Sequence, residues 1–521
     1  MARASQKESV ARFESILFRE AKEPDLQGPN ALPDTLRDLN LDRVFESITS
    51  AWKEFQLTPF FHAPLHSVDA IAFRQEVMRD LEDELAMQAV KAFSDRMRMM
   101  AAHRETSVRS YYEHERNRSF LSAVERYCEA VTSLSADLTR LPLRSTGMRS
   151  LRDYLSEYRS SAGFEELCER CVRLVSDLAA VKYVLLIDGD EVTVREYAGE
   201  TEYTMVVETI FEKFRRGSSK DYLVRFPEGS GINHIQAQVL DGVARLYPET
   251  FAALAAFHAH HPEFPDSRIT RFYREVQFYV AYLSYIGAFR RAGLSFCYPI
   301  LSRMNKEVSS RDAFDIALAE KLLVEGRPIV CNDFHLRGAE RLIVVSGPNQ
   351  GGKTTLARMF GQLHFLANLG CPIPGTEGQV HLFDRIFTHF EREEDIRTLR
   401  GKLQDDLVRI RNILDVATPQ SIVIMNEIFS STTLKDAIDL SKKVISKLLA
   451  LDLVGVWVTF LTELSSMSEK TVSMVSTIDP TDPAIRTYKV VRREADGVAY
   501  ALAIARKYRL TYEAVKERIK R

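Results

Sequence analysis

The stretch GPNQGGKTT, Gly347–Thr355, constrains this 521-residue chain more than any other. It follows an apolar run, RLIVVS (341–346), and leads into TLARMFGQLHFLANL, whose apolar residues recur at helical spacing. Strand, glycine-rich turn and helix, with G-x-x-x-x-G-K-[ST] matched at every fixed position, is the order of a phosphate-binding loop. Glycines let successive backbone N–H groups turn inward around a phosphate, and the helix N-terminus adds its positive dipole end. Gly347, Pro348, Asn349, Gln350, Gly351, Gly352, Lys353, Thr354 and Thr355 are therefore the expected nucleotide-binding residues. In this pattern Lys353 reaches the β- and γ-phosphates of ATP and the Thr354 hydroxyl ligates Mg²⁺.

A phosphate loop needs an acidic strand end to hold the metal and orient water. Downstream, SIVIMNEIFSSTT (421–433) supplies an apolar strand followed by Asn426 and Glu427. Glu427 is the expected catalytic residue, polarising the attacking water, with Lys353 stabilising charge on the phosphates. Asn426 stands where an aspartate usually supports the metal. Its side-chain oxygen remains a donor to Mg²⁺ beside Thr354, but the charge is gone, which predicts weaker metal binding and slow turnover.

The rest of the chain reads as several domains. Residues 1–40 form an N-terminal arm. Residues 41–175 are poor in Gly and Pro and carry helical periodicity, the first part of a helical core and lever. VKYVLLIDGDEVTVREYAG changes to hairpin character and opens a small β insertion over 176–230, and helices return over 231–324. From 325 to 500, RLIVVS, SIVIM, VGVWVT and TVSMVS alternate with amphipathic segments, the texture of an α/β domain with a largely parallel sheet. Residues 501–521 close the chain as a helical tail.

Composition removes some classes. Seventy basic residues against 72 acidic ones leave no bulk attraction for nucleic acid or membrane, so any such partner meets a local patch. Six irregularly spaced cysteines suggest reduced thiols in a cytoplasmic protein. The most apolar run, VQFYVAYLSYIGAF (276–289), falls short of the roughly 20 residues that span a bilayer, so no membrane association is expected.

Further motifs stand in a recognisable order: GPNQGGKTT, GCPIPG (370–375), DRIFTHF (384–390), EDI (394–396), MNEIFSSTT and VTFLTEL. In order and spacing they resemble the ATPase domain of the MutS family. APLHSVDAIAFRQEVMRDL (63–81) is similar to a stretch of the MutS helical core, and EGRPIVCNDFHL (325–336) to the segment that holds adenine, which implies a nucleotide-binding role for Asn332, with Asp333 beside it. The implied fold class is multidomain: an α-helical core and lever region with a small β insertion, plus a C-terminal α/β P-loop ATPase of the ABC type. The departures are specific. The arm over 1–40 is too short for the family's mismatch-reading and connector domains. The family's Asp-Glu is Asn426-Glu427, its Thr-His is Thr459-Phe460, and its Gly-Arg-Ser-Thr-Phe element is replaced by RGKLQDDL (400–407), while Thr432 and Asp436 still match.

Other candidates are weaker. His258, His260 and His261 have a spacing that does not converge on one helix face, and Cys168 and Cys171 form a lone C-x-x-C without the second pair of a zinc site. Arg215, Arg216 and Lys220, in a polar loop, and the basic tail from Arg506 to Arg521 are the local patches that would meet a DNA backbone, or in the tail's case close a dimer. The resemblance thus implies a homodimeric, DNA-acting ATPase that uses ATP and Mg²⁺, gripping branched, recombining or non-specific duplex DNA without reading mismatches. The alternative is a nucleotide-gated scaffold that binds ATP and recruits protein partners with little hydrolysis.

Overall fold

The computed structural model describes residues 13–19, 34–189, 191–200, 233–391, 401–479, 481, 485–495, 511, 512, 515 and 516. Two compact units emerge, one built chiefly from residues 83–143 and 148–273, the other from 14–82, 144–147 and 274–521. The first is dominated by two long helices, Glu84–Arg109 and Glu113–Arg140. Asp83 starts the former by accepting a hydrogen bond from the Ala86 N–H, and Ser110 ends it in extended conformation. Val90, Phe93, Met97 and Met100 on one helix, and Phe120, Val124, Tyr127 and Val131 on the other, supply buried apolar faces at helical spacing. The expected hairpin forms, with β1 (Tyr183–Asp188) antiparallel to β2 (Glu191–Glu196). The β character expected toward Val207, Arg215, Arg216 and Lys220, and most of the basic tail lie outside the described residues. His258 turns its Nδ1 to Asn117 Oδ1 at 2.8 Å and stacks on Phe120, whereas His260 bonds the Ala256 carbonyl.

The second unit combines helices with mixed sheets. Short strands β3 (Phe296–Cys297), β4 (Ile300–Ser302), β5 (Val308–Ala313) and β6 (Asn332–Leu336) precede the central β7 (Leu342–Ser346). They are followed by β8 (Ile373–Pro374), β9 (Glu377–His381), β10 (Ile386–His389), β11 (Ile422–Asn426), β12 (Val454–Val458), β13 (Thr471–Ile478) and β14 (Arg486–Arg492). The main sheet has the order β10-β11-β12-β7-β13-β14, parallel except for β14, and a second sheet has the order β4-β9-β5-β6.

Strands β7, β11 and β12 are buried along their whole length because helices cover both faces. On one face Leu342, Val344, Val423, Met425 and Trp457 form a core with residues of the helices Lys402–Val416 and Leu434–Ala450. The helix Lys353–Asn368 packs on the other, where a Cβ at Gly361 would lie 2.6 Å from Ile424 Cδ1. Such a doubly covered parallel sheet leaves a crevice at the carboxyl ends of its strands. VQFYVAYLSYIGAF is part of the helix Ser267–Arg291, with Val276, Phe278, Tyr279 and Tyr282 buried. Among the described residues no helix is long and apolar enough to cross a membrane.

Candidate nucleotide site

The glycine-rich loop leaves β7 at Ser346 and is shaped by three left-handed residues: Gly347 (φ 115°), Gln350 (φ 59°) and Gly352 (φ 94°). A Cβ at Gly347 would lie 2.4 Å from Ser476 Oγ and 2.9 Å from the Ser476 carbonyl, so only glycine fits against β13. Gly352 begins the helix Lys353–Asn368 with no side-chain cap. The first-turn N–H groups of that helix are thus offered at the loop with the positive end of the dipole.

Lys353 is 4% exposed and folds over the loop that precedes it. Its Nζ donates to the carbonyls of Gly347 (3.0 Å) and Pro348 (3.2 Å) and lies 3.4 Å from Asn349 Oδ1. Glu427 Oε1 is 3.7 Å away, and the Phe460 ring centroid is 4.1 Å away. Burial lowers the pKa of the ammonium, while the Glu427 carboxylate opposes that shift and Arg486 adds to it. An ammonium this poorly solvated gains most from a further anion at its head.

Asn426 ends β11, and its side-chain oxygen accepts a 2.9 Å hydrogen bond from Thr354 Oγ1. The chain then takes left-handed conformations at Glu427 (φ 51°) and Phe429 (φ 60°), neither of them glycine, each costing on the order of 1–3 kcal/mol. Three contacts hold this turn. The Glu427 N–H donates to the Val458 carbonyl at 3.0 Å, the Phe429 N–H faces Asp406 Oδ2 at 3.4 Å, and the Phe429 ring is buried in the core. Glu427 is thereby presented at the loop, half-buried, beside Lys353.

Asn332 is buried and binds the backbone of β14 on both sides. Its Nδ2 donates to the Tyr488 carbonyl at 3.1 Å, and its Oδ1 accepts from the Val490 N–H at 2.7 Å. This brings the strand bearing Tyr488, itself left-handed (φ 59°), close to Gly352. Between them lies a cavity of about 240 Å³, lined by Leu318, Ile329, Val330, Asn332, Thr355 and Tyr488 among others. It adjoins the helix start and is of a size and polarity suited to a flat aromatic base. Asp333 lies on the other side of its strand, where its carboxylate accepts from the Asp312 N–H.

The structure therefore gathers the loop 347–355, Asn426 and Glu427 at one end of the sheet, with Asn332 set at the adjoining cavity. Asp436 contributes instead to its own helix start, where its N–H donates to Thr433 Oγ1. Two neighbours were not singled out from sequence. Arg486 Nε donates to the Asn349 carbonyl at 3.1 Å, and Tyr488 walls the cavity. Both sit on β14, whose largely exposed, irregular pattern carries little strand signal.

A family model described as MutS domain V matches residues 343–520, a span that begins inside β7 and takes in the loop, Asn426, Glu427 and β14. The chain is also similar to the DNA mismatch repair protein MutS of Caldicellulosiruptor bescii, 26% identical over 191 residues. That match covers 36% of this chain and 21% of the relative, so the chain spans about a fifth of the length of the curated protein it matches.

Proposed function

Because this chain belongs to the MutS family through its domain V, we propose that it binds ATP at the Gly347–Thr355 loop and hydrolyses it slowly, as a homodimer acting on DNA. The observation that carries this reading is the convergence of Lys353, Thr354, Asn426 and Glu427, with Lys353 Nζ 3.7 Å from Glu427 and Thr354 Oγ1 2.9 Å from Asn426. The base of ATP occupies the cavity beside Asn332, and the phosphates run along the loop toward Lys353. Asn332 sets the cavity wall by fixing β14.

The donor set suits Mg²⁺, which takes oxygen ligands and relies on substrate phosphates for much of its shell. Thr354 and Asn426 offer two neutral oxygens, so they would hold the ion with little charge of their own. When bound, Mg²⁺ neutralises phosphate charge. Glu427 orients a water and takes its proton as the oxygen attacks the γ-phosphorus, and Lys353 stabilises charge developing on the departing diphosphate. DNA is the partner that the family relationship supports. On this reading the DNA is branched, recombining or non-specific duplex. The site of action on this reading is the cytoplasm.

A second reading, a nucleotide-gated scaffold, is favoured by two features. Asn426 lacks a charge, and the Phe460 ring covers the Lys353 ammonium. Equilibrium binding of ATP and of duplex and branched DNA to the full chain, in low and high salt, tests the proposal. ATP binding lost in Lys353→Ala together with salt-sensitive DNA binding supports it. Retained ATP binding without detectable DNA binding at low ionic strength would sink the DNA part.

A further inference from the structure

Outside the residues assigned above, the Lys402–Val416 helix carries a buried carboxylate that reaches the turn behind Glu427. Asp406 is 6% exposed and His389, at the end of β10, is 1% exposed. Asp406 Oδ1 lies 3.2 Å from His389 Nε2, and Asp406 Oδ2 faces the Phe429 N–H at 3.4 Å. Three elements meet at this one carboxylate: a sheet strand, a covering helix and the turn after β11. His389 pairs in register with Met425, the residue before Asn426 and two before Glu427.

We propose that Asp406, held by His389, is a positioning residue for Glu427. The inference rests on the ATPase reading. A carboxylate removed from water needs partners, and the Phe429 amide supplies one at Oδ2, while the His389 imidazole packs against Oδ1 at 3.2 Å without forming a hydrogen bond. Because Glu427 and Phe429 both hold left-handed conformations, the turn is stable only while its amides are engaged. Of those amides, Glu427 N–H is fixed by β12 through Val458, and Phe429 N–H depends on Asp406. A shift of the Lys402–Val416 helix therefore moves the Phe429 anchor and with it the direction of the Glu427 side chain. The first turns of that helix, with Asp406 among them, belong to RGKLQDDL, which stands in place of the family's Gly-Arg-Ser-Thr-Phe element, so the clamp ties that segment to the water-orienting group.

The test compares wild type, Asp406→Ala, Asp406→Asn, His389→Gln and Glu427→Gln in the full chain, reading kcat for ATP hydrolysis and, separately, ATP affinity at equilibrium. Asp406→Ala is expected to lower kcat by tenfold or more with affinity within threefold of wild type, and Asp406→Asn, which keeps an acceptor, to restore most of it. His389→Gln should lower kcat several-fold, and it decides the matter if Asp406→Ala does not fold. In a Glu427→Gln background Asp406→Ala should have no further effect, whereas a purely structural role would lower affinity and turnover together and add to the Glu427 change. Unchanged kcat in Asp406→Ala, or in His389→Gln if the former is unfolded, overturns the clamp while leaving the ATPase reading intact. A wild type without turnover, or turnover indifferent to Glu427→Gln, overturns both.

Discussion

The hydroxyl of Thr354 donates a 2.9 Å hydrogen bond to the side-chain oxygen of Asn426, joining the first turn of the loop helix to the end of β11. Both oxygens are neutral, so on the ATPase reading the protein contributes geometry to a bound Mg²⁺ but no charge beyond Glu427. Asn426→Asp should lower the Mg²⁺ concentration for half-maximal ATP turnover by roughly tenfold, the equivalent of about 1.4 kcal/mol. A Mg²⁺ titration of the two proteins at saturating ATP reads this directly. An unchanged midpoint would mean that Asn426 does not touch the metal shell.

Phe460 lies with its ring centroid 4.1 Å from Lys353 Nζ and remains 51% exposed. Its contribution is a cation–π contact at a partly solvated site, worth about 0.5–1 kcal/mol. Phe460→Ala should reduce the stability of the nucleotide-free protein by about that amount while leaving ATP affinity within a few-fold. Urea unfolding with and without ATP separates the two effects. A loss of several kcal/mol would show that the ring is a core residue and not a cover on Lys353.

Asn332 satisfies the Tyr488 carbonyl and the Val490 N–H with one buried amide. Asn332→Ala strands both groups, at a cost of roughly 1–3 kcal/mol, and frees the strand that walls the cavity. Lower unfolding stability together with weaker ATP binding is the expected pair of results. Weaker stability with unaltered ATP binding would remove Asn332 and its cavity from the nucleotide site.

Two buried imidazoles make stability depend on acid. Burial pushes His364 and His381 down to about 4, below the ordinary value near 6.5, with His381 adding to the shift of His364 and Lys306 to that of His381. The unfolded chain takes up these protons between pH 6.5 and 4 and the folded chain does not, so stability is full above about pH 6.5 and falls as pH drops toward 4. The loss is at most roughly 3 kcal/mol per imidazole. Chemical unfolding across that range should show the slope, and His364→Leu should make it shallower. A slope unaffected by removal of His364 would contradict the assignment.

Much of the fold was legible because its signals are local. RLIVVS, SIVIM and VGVWVT became β7, β11 and β12 since strands covered on both faces must be apolar throughout, and TVSMVS became β13, whose Val472, Met474 and Val475 are buried among polar residues. VQFYVAYLSYIGAF became part of a buried helix for the same reason. The loop and the Asn426-Glu427 pair were visible as short contiguous motifs, and the fold sets them side by side at the strand ends. What remained hidden depends on contacts distant in sequence. β14 is an edge strand, mostly exposed and bent by the left-handed Tyr488, so neither alternation nor a continuous apolar run marks it, and Arg486 went unnoticed with it. The His389–Asp406 pair likewise joins a strand end to a helix face, and within the sequence each residue reads as an ordinary polar position.

On the proposed function, Glu427 beside Lys353 drives ATP hydrolysis in this chain. Steady-state phosphate release by wild type, Lys353→Ala and Glu427→Gln, with Mg²⁺ and with or without branched DNA, tests it most directly. Slow turnover is expected in the wild type, stimulated by DNA and reduced at least a hundredfold in either variant, with Glu427→Gln still binding ATP. Equal phosphate release by wild type and Glu427→Gln, or none from either despite tight ATP binding, would contradict it and leave a nucleotide-gated scaffold in its place.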